Sequence, residues 1–184
     1  YRVQIDMLKR QARPQQGESS LGDTGNSKLW QEPWKVRCPG KVHDFMWRVA
    51  HNSHPMLRNI ERIGVELDTT CVLCHRLPED GSHLFFRCKE VKKVWRVCDL
   101  EAIRLDLLQC LSPHELLLYI FALPEEKKLK IICLLWLWWT ERNKANHKQN
   151  RAKPEEFYFL VQKHVAEWRV FYAKPEKAQI LNKP

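Results

Sequence analysis

The chain has 184 residues, 44% of them apolar and eight of them Trp, and carries a formal net charge of +9. That is enough apolar side chain for one packed domain with tails. The longest apolar run, Ile131 to Trp139, falls far short of the ~20 residues a membrane span needs, so no membrane role is expected. The seven Cys are odd in number and three of them fall in one short cluster, with no signal peptide in view. This pattern favours a reducing, intracellular setting, nucleus or cytoplasm, over a disulfide framework. The chain begins at Tyr1 rather than Met, as a fragment or processed product would.

In chain order, residues 1–11 predict a short helix with Val3, Met7 and Leu8 on one side, and 13–28 a flexible linker with almost nothing apolar to bury. Residues 1–28 are therefore read as a short helix and linker. The texture then changes. Leu29-Trp30 and Trp34 precede the turn signal Cys38-Pro39-Gly40. From Lys41, Val42, Phe45, Met46 and Val49 repeat at i, i+3, i+4, i+7, the stripe of a core-facing helix. Asn52-Ser53-His54-Pro55 breaks it. A second helix is expected from Pro55 to Ile63, with Leu57 and Ile60 inward and Gly64 as its stop.

Next comes Cys71-x2-Cys74-x8-His83-x4-Cys88. A C-x2-C turn presents two sulfurs to one ion, and a nearby pair completes a tetrahedral zinc site. The polar stretch His75 to Ser82, with the Pro, Asp and Gly of a turn, supplies the slack to bring His83 back. Taken alone, a C-x2-C pair also fits buried thiols or a redox motif, but a redox motif requires a preceding strand, and Asp68-Thr69-Thr70 is polar. His75 is an alternative fourth ligand, hampered by abutting Cys74. Four protein ligands close the coordination sphere, so the expected cofactor is one structural Zn2+, with no open position for a catalytic water.

After the metal segment, Lys89 to Leu100 predicts a helix with Val91, Val94, Trp95 and Cys98 inward. Ser112-Pro113-His114-Glu115 is a capping box with Pro at the first helical position. Leu123-Pro124-Glu125-Glu126 opens a long helix to about His147. Pro154-Glu155-Glu156 opens the last, with Phe157, Leu160, Val161, Trp168 and Phe171 as its buried face and Lys174-Pro175 as its end. No period-2 alternation and no repeat is present. The expected fold is all-α: a small helical domain stapled by one structural zinc site over 29–100, a helical extension over 101–175, and a loose tail over 176–184.

Leu29-Trp30, Trp34, Pro39, Lys41-Val42, Phe45-Met46-Trp47-Arg48, Asn52-Ser53, Pro55, Ile63, the Cys71/Cys74 pair, His83-Leu84-Phe85-Phe86, Cys88 and Val94-Trp95 together resemble the reverse transcriptase zinc-binding domain of plant non-LTR (LINE-type) retroelement polyproteins. The resemblance covers about 29–96. It is looser over 1–8 and over Trp136 to Asn146. Cys38 and Gly40 depart from the family's usual residues without touching the ligands. The resemblance implies zinc on Cys71, Cys74, His83 and Cys88, and neighbouring reverse transcriptase and RNase H domains in a parent polyprotein.

The basic balance fits a partner with a phosphate backbone, RNA or DNA. Candidate phosphate contacts are Lys35, Arg37, Lys41, Arg48, Arg58 and Arg62 before the metal, Lys89, Lys92, Lys93 and Arg96 after it, and Arg142, Lys144, Lys148, Arg151 and Lys153 further on. Each group also fits a plain solvated helix face. Trp30, Trp34, Trp47 and Trp95 fit base stacking or the core, as do Trp136, Trp138 and Trp139. The competing function is a protein-interaction or scaffold module. An enzyme is not expected: no paired-Asp polymerase signature, Gly-rich phosphate loop or RNase H-like carboxylate set is present.

Overall fold

A computed structural model describes residues 35–172. The expected helix and linker of 1–28, the Leu29-Trp30 and Trp34 positions, the stop at Lys174-Pro175 and the tail 176–184 lie outside the described residues. No strand forms among the described residues. Thr70 and Pro78 make one isolated antiparallel bridge, and the fold is all-α as expected.

Helix α1 (Gly40–Ala50) starts behind Pro39 and buries Val42, Phe45 and Met46, with Val49 half-buried. The chain reverses at Asn52, whose φ of 47° is left-handed. Helix α2 (Leu57–Arg62) begins two residues after Pro55, because Met56 holds an extended N-cap conformation at ψ 152°. It stops where expected: Gly64 takes φ 89°, a conformation costly for any residue with a Cβ.

A wide π-helical turn, His83–Arg87, follows the metal loop. Helix α3 (Lys89–Val97) then buries Val91, Val94 and Trp95. It ends before the expected Leu100, with Cys98 as its half-buried C-cap and Asp99 at φ 55°. A short helix that the periodicity did not signal, α4 (Glu101–Leu107), buries Leu107 and Arg104.

Helix α5 (Pro113–Ala122) has its cap where expected, since Ser112 Oγ accepts the Glu115 N–H at 3.1 Å. The other half of the box differs: the Glu115 carboxylate accepts the Leu111 N–H at 2.7 Å, not that of Ser112. Helix α6 (Glu125–Asn146) is buried on every side in its middle, Ile131 through Leu135, as befits a helix enclosed by others. It packs against α1, α5 and α7 (Phe157–Phe171). A single 3-10 turn, Pro154–Glu156, leads into α7 and rests on α3.

Phe157, Val161, Val165 and Trp168 form the inner face of α7. Phe171 does not join them and is 78% exposed, because the last turn of α7 runs past the core, with Val170 and Tyr172 exposed beside it. Most of the buried apolar side chains form one cluster from Val36 to Trp168, so the core runs without a break across position 100. No described helix is long and apolar enough to cross a membrane.

Candidate metal centre

The segment 69–88 folds around its cysteines. Cys71 N–H bonds Leu77 O at 2.9 Å, Glu79 N–H bonds Thr69 O at 2.8 Å, and His75 N–H bonds Cys71 O at 2.9 Å. These bonds close a knuckle, with His75 at a left-handed φ of 53°. Asp80 Oδ1 then accepts the His83 N–H at 2.7 Å and starts the helical turn that turns His83 inward.

Cys71, Cys74, His83 and Cys88 are all buried, and their ligand atoms lie within 4.8 Å of one another. Cys74 Sγ and His83 Nε2 are 3.3 Å apart. A tetrahedron with Zn–S of ~2.3 Å and Zn–N of ~2.0 Å has edges of roughly 3.5–3.8 Å, so the cluster fits zinc with only small adjustments. His75 is exposed on the outside of the knuckle, which leaves His83 as the fourth ligand.

The electrostatics suit a thiolate-rich ion. The Cys71 and Cys88 sulfurs lie within hydrogen-bond reach of one another. Donation to Cys88, together with burial, pushes the Cys71 thiol well above its ordinary range. Acceptance of that bond holds Cys88 below its ordinary range, helped by the Glu90 N–H. Cys88 is also the N-cap residue of α3, where the helix dipole favours negative charge. Cys71 takes further bonds from the Leu73 and Cys74 N–H groups. Burial lowers the His83 pKa and favours the neutral imidazole that a metal needs. Cys71, Cys74, His83 and Cys88 hold one structural zinc.

Sequence reasoning missed what surrounds this centre. The last carbonyls of the wide turn have no following helical turn to satisfy them. Three side chains from elsewhere take them: Trp138 Nε1 donates to Leu84 O at 2.8 Å, Trp95 Nε1 to Phe85 O at 2.9 Å, and Arg104 Nη1 to Phe86 O at 2.8 Å. Both indoles are buried, so these Trp are structural. Glu79, in the polar loop, has no exposed surface and pairs with Arg142 of α6, Nη2 to Oε1 at 2.6 Å. Glu79 also accepts the Leu57 N–H at 3.2 Å. Spacing carries no signal for a pair so far apart in the chain. Only the unusual wealth of Trp hinted at the indole contacts.

Arg142 is therefore a correction. Expected as a phosphate contact, it is 4% exposed and committed to Glu79. The other candidates lie at or near the surface. Lys89, Lys92, Lys93 and Arg96 share one face of α3 at i, i+3, i+4, i+7. Lys93 reaches Glu90 at 2.9 Å and Arg96 lies 3.7 Å from Glu101. Arg58 faces Glu61 at 3.8 Å. Lys41 sits 4.7 Å over the Trp136 ring, Lys144 is 2.6 Å from Glu141, and half-buried Arg151 is 6.0 Å from the Trp138 ring. Lys35, Arg37, Arg62, Lys148 and Lys153 are exposed and Arg48 is half-buried.

Residues 15–95 match a family model described as zinc-binding in reverse transcriptase. That span holds all four ligands and ends at Trp95. No curated protein and no solved structure matches the chain.

Proposed function

We propose that the chain is a non-catalytic, zinc-stapled module of a retroelement reverse transcriptase polyprotein, of the plant non-LTR kind, that contacts element RNA or target DNA. The observation that carries this reading is the family match over the segment that holds the whole ligand set. In this reading zinc fixes Cys88 at the start of α3, and α3 presents Lys89, Lys92, Lys93 and Arg96 to consecutive phosphates. The neighbours in the parent protein are a polymerase and an RNase H domain, which supply the chemistry. The site of action is intracellular, in nucleus or cytoplasm. Binding of single-stranded RNA and of DNA, titrated against salt, tests it. Four phosphate contacts predict a slope of log K against log salt of roughly −3 on a single strand. The double change Lys92→Glu with Lys93→Glu should flatten that slope. Affinity that is absent, or indifferent to salt, contradicts the reading.

A scaffold role has one observation in its favour: Phe159, Val170 and Phe171 of α7 are 72%, 74% and 78% exposed. It predicts zinc binding without nucleic-acid affinity, and self-association that Phe159→Ser abolishes.

A further inference from the structure

Beside the metal centre lies a half-open cavity of about 280 Å3. Phe45 and Val49 of α1, Phe85 and Phe86 of the wide turn, and Leu108 and Leu116 around the α4–α5 junction form its apolar walls. The Phe45 and Phe85 rings meet edge to face, with centroids 5.9 Å apart. The polar lining is of a different kind. Arg48 and Arg62 both line the cavity, and among the described residues neither has a carboxylate within ion-pair distance.

Three smaller groups add hydrogen-bonding capacity to the lining. Asn52 Oδ1 accepts from the Asn59 amide at 3.5 Å, which leaves its own N–H groups as donors. Ser112 Oγ already accepts the Glu115 N–H, which leaves its hydroxyl proton to donate. Asp80 Oδ1 accepts the His83 N–H, which leaves its second oxygen as an acceptor. The occupant that matches this lining is flat and largely apolar, carries hydrogen-bond donors and acceptors on its edge, and has an anion attached. An alkyl chain would leave the donors and the acceptor unpaired, at a cost. The volume sits just below the ~300–1,000 Å3 of pockets that enclose drug-sized ligands and suits one ring system.

We infer that this cavity receives a single unstacked nucleobase of a bound strand, with the phosphate beside it held by Arg48 and Arg62. The inference rests on the nucleic-acid reading above and adds to it a place where one base leaves the stack, as proteins that recognise single strands arrange. Zinc enters indirectly: Asp80, Phe85 and Phe86 belong to the segment that ends in ligands His83 and Cys88, so the metal shapes one wall.

The test uses the full zinc-loaded chain and short single strands of RNA and of DNA that carry one 2-aminopurine or one abasic position. Val49→Trp and Leu116→Trp fill the cavity from two different helices, with zinc content and helicity as checks on folding. The expected result is a several-fold rise in 2-aminopurine emission on binding to the unaltered chain. The filled variants should bind about tenfold more weakly, on the scale of one lost base contact. The abasic strand should lose as much against the unaltered chain and nothing further against the variants. Salt-sensitive binding with no emission change and no cost from filling or from the abasic position overturns the inference and leaves the nucleic-acid reading standing. Tight binding of an alkyl carboxylate in the cavity, with strand affinity unmoved by filling, overturns it in the same way. No binding of any strand overturns both.

Discussion

Glu79 shows how much one side chain outside the ligand set controls. Its carboxylate is sealed from solvent, and one guanidinium and one backbone N–H satisfy it. Because a buried charge is tolerable only while paired, Arg142→Ala should cost about 3–5 kcal/mol of unfolding free energy in urea. Glu79→Gln with Arg142→Met should cost less, since no charge is stranded. His54 makes a second prediction. Its Nε2 lies 3.0 Å from Phe45 O, a carbonyl that can only accept, so Nε2 carries the proton. Burial first, then the Arg48 and Arg142 charges, lower its pKa from 6.5 to about 3. The unfolded chain therefore takes up this proton before the folded one. The contribution is full above pH 6.5 and shrinks as pH falls toward 3. Between pH 7 and pH 5 the unaltered chain should lose about 2 kcal/mol more than His54→Gln, read from urea midpoints at the two values. Neither residue announces itself in the sequence. Glu79 sits in Pro78-Glu79-Asp80, which reads as a solvated turn, and His54 sits in a helix break. The ligands were legible because metal chemistry demands particular side chains at short spacings.

The elements are legible where one local rule decides them. Val42, Phe45 and Met46 repeat with the helical period, and α1 buries those three. Ser112-Pro113 marks the start of α5 by cap chemistry alone. Gly64 closes α2 at φ 89°, and nothing lies within 4 Å of where its Cβ would be. Gly64→Ala should therefore cost about 1–2 kcal/mol through backbone strain alone, with the zinc content unchanged; calorimetry of the loaded protein checks both. What stayed hidden depends on distant partners. Helix α4 spans seven residues with no side-chain cap, too short for periodicity to register. It is held by Arg104, which reaches across to Phe86 O. The wide turn reads as an apolar run, Leu84-Phe85-Phe86. Its π geometry appears in the Cys88 N–H to His83 O bond of 2.7 Å, with Trp138 and Trp95 donating to its Leu84 and Phe85 carbonyls. Angular position alone places Phe171 in the core and takes no account of where the core ends.

At the scale of the molecule, the metal segment and the helices after it share their interior. Trp138 of α6, Trp95 of α3 and Arg104 of α4 all hold the carbonyls of the turn that carries His83, and Arg142 of α6 grips the loop between the ligand pairs. The zinc ion thus organises a seam on which α3, α4 and α6 converge. Structural zinc contributes roughly 10–16 kcal/mol in small finger peptides, against the ~5–15 kcal/mol total stability of a typical domain. Loss of the metal should therefore loosen α3, α4 and the end of α6 together. The most direct measurement is native mass spectrometry of the purified chain, alone and as Cys71→Ser and Cys88→Ser, paired with circular dichroism before and after a chelator. One zinc per chain is expected, absent from both variants, with helical signal and unfolding midpoint falling together when the metal is removed. A chain without zinc, or one whose helicity and midpoint survive chelation unchanged, would contradict it.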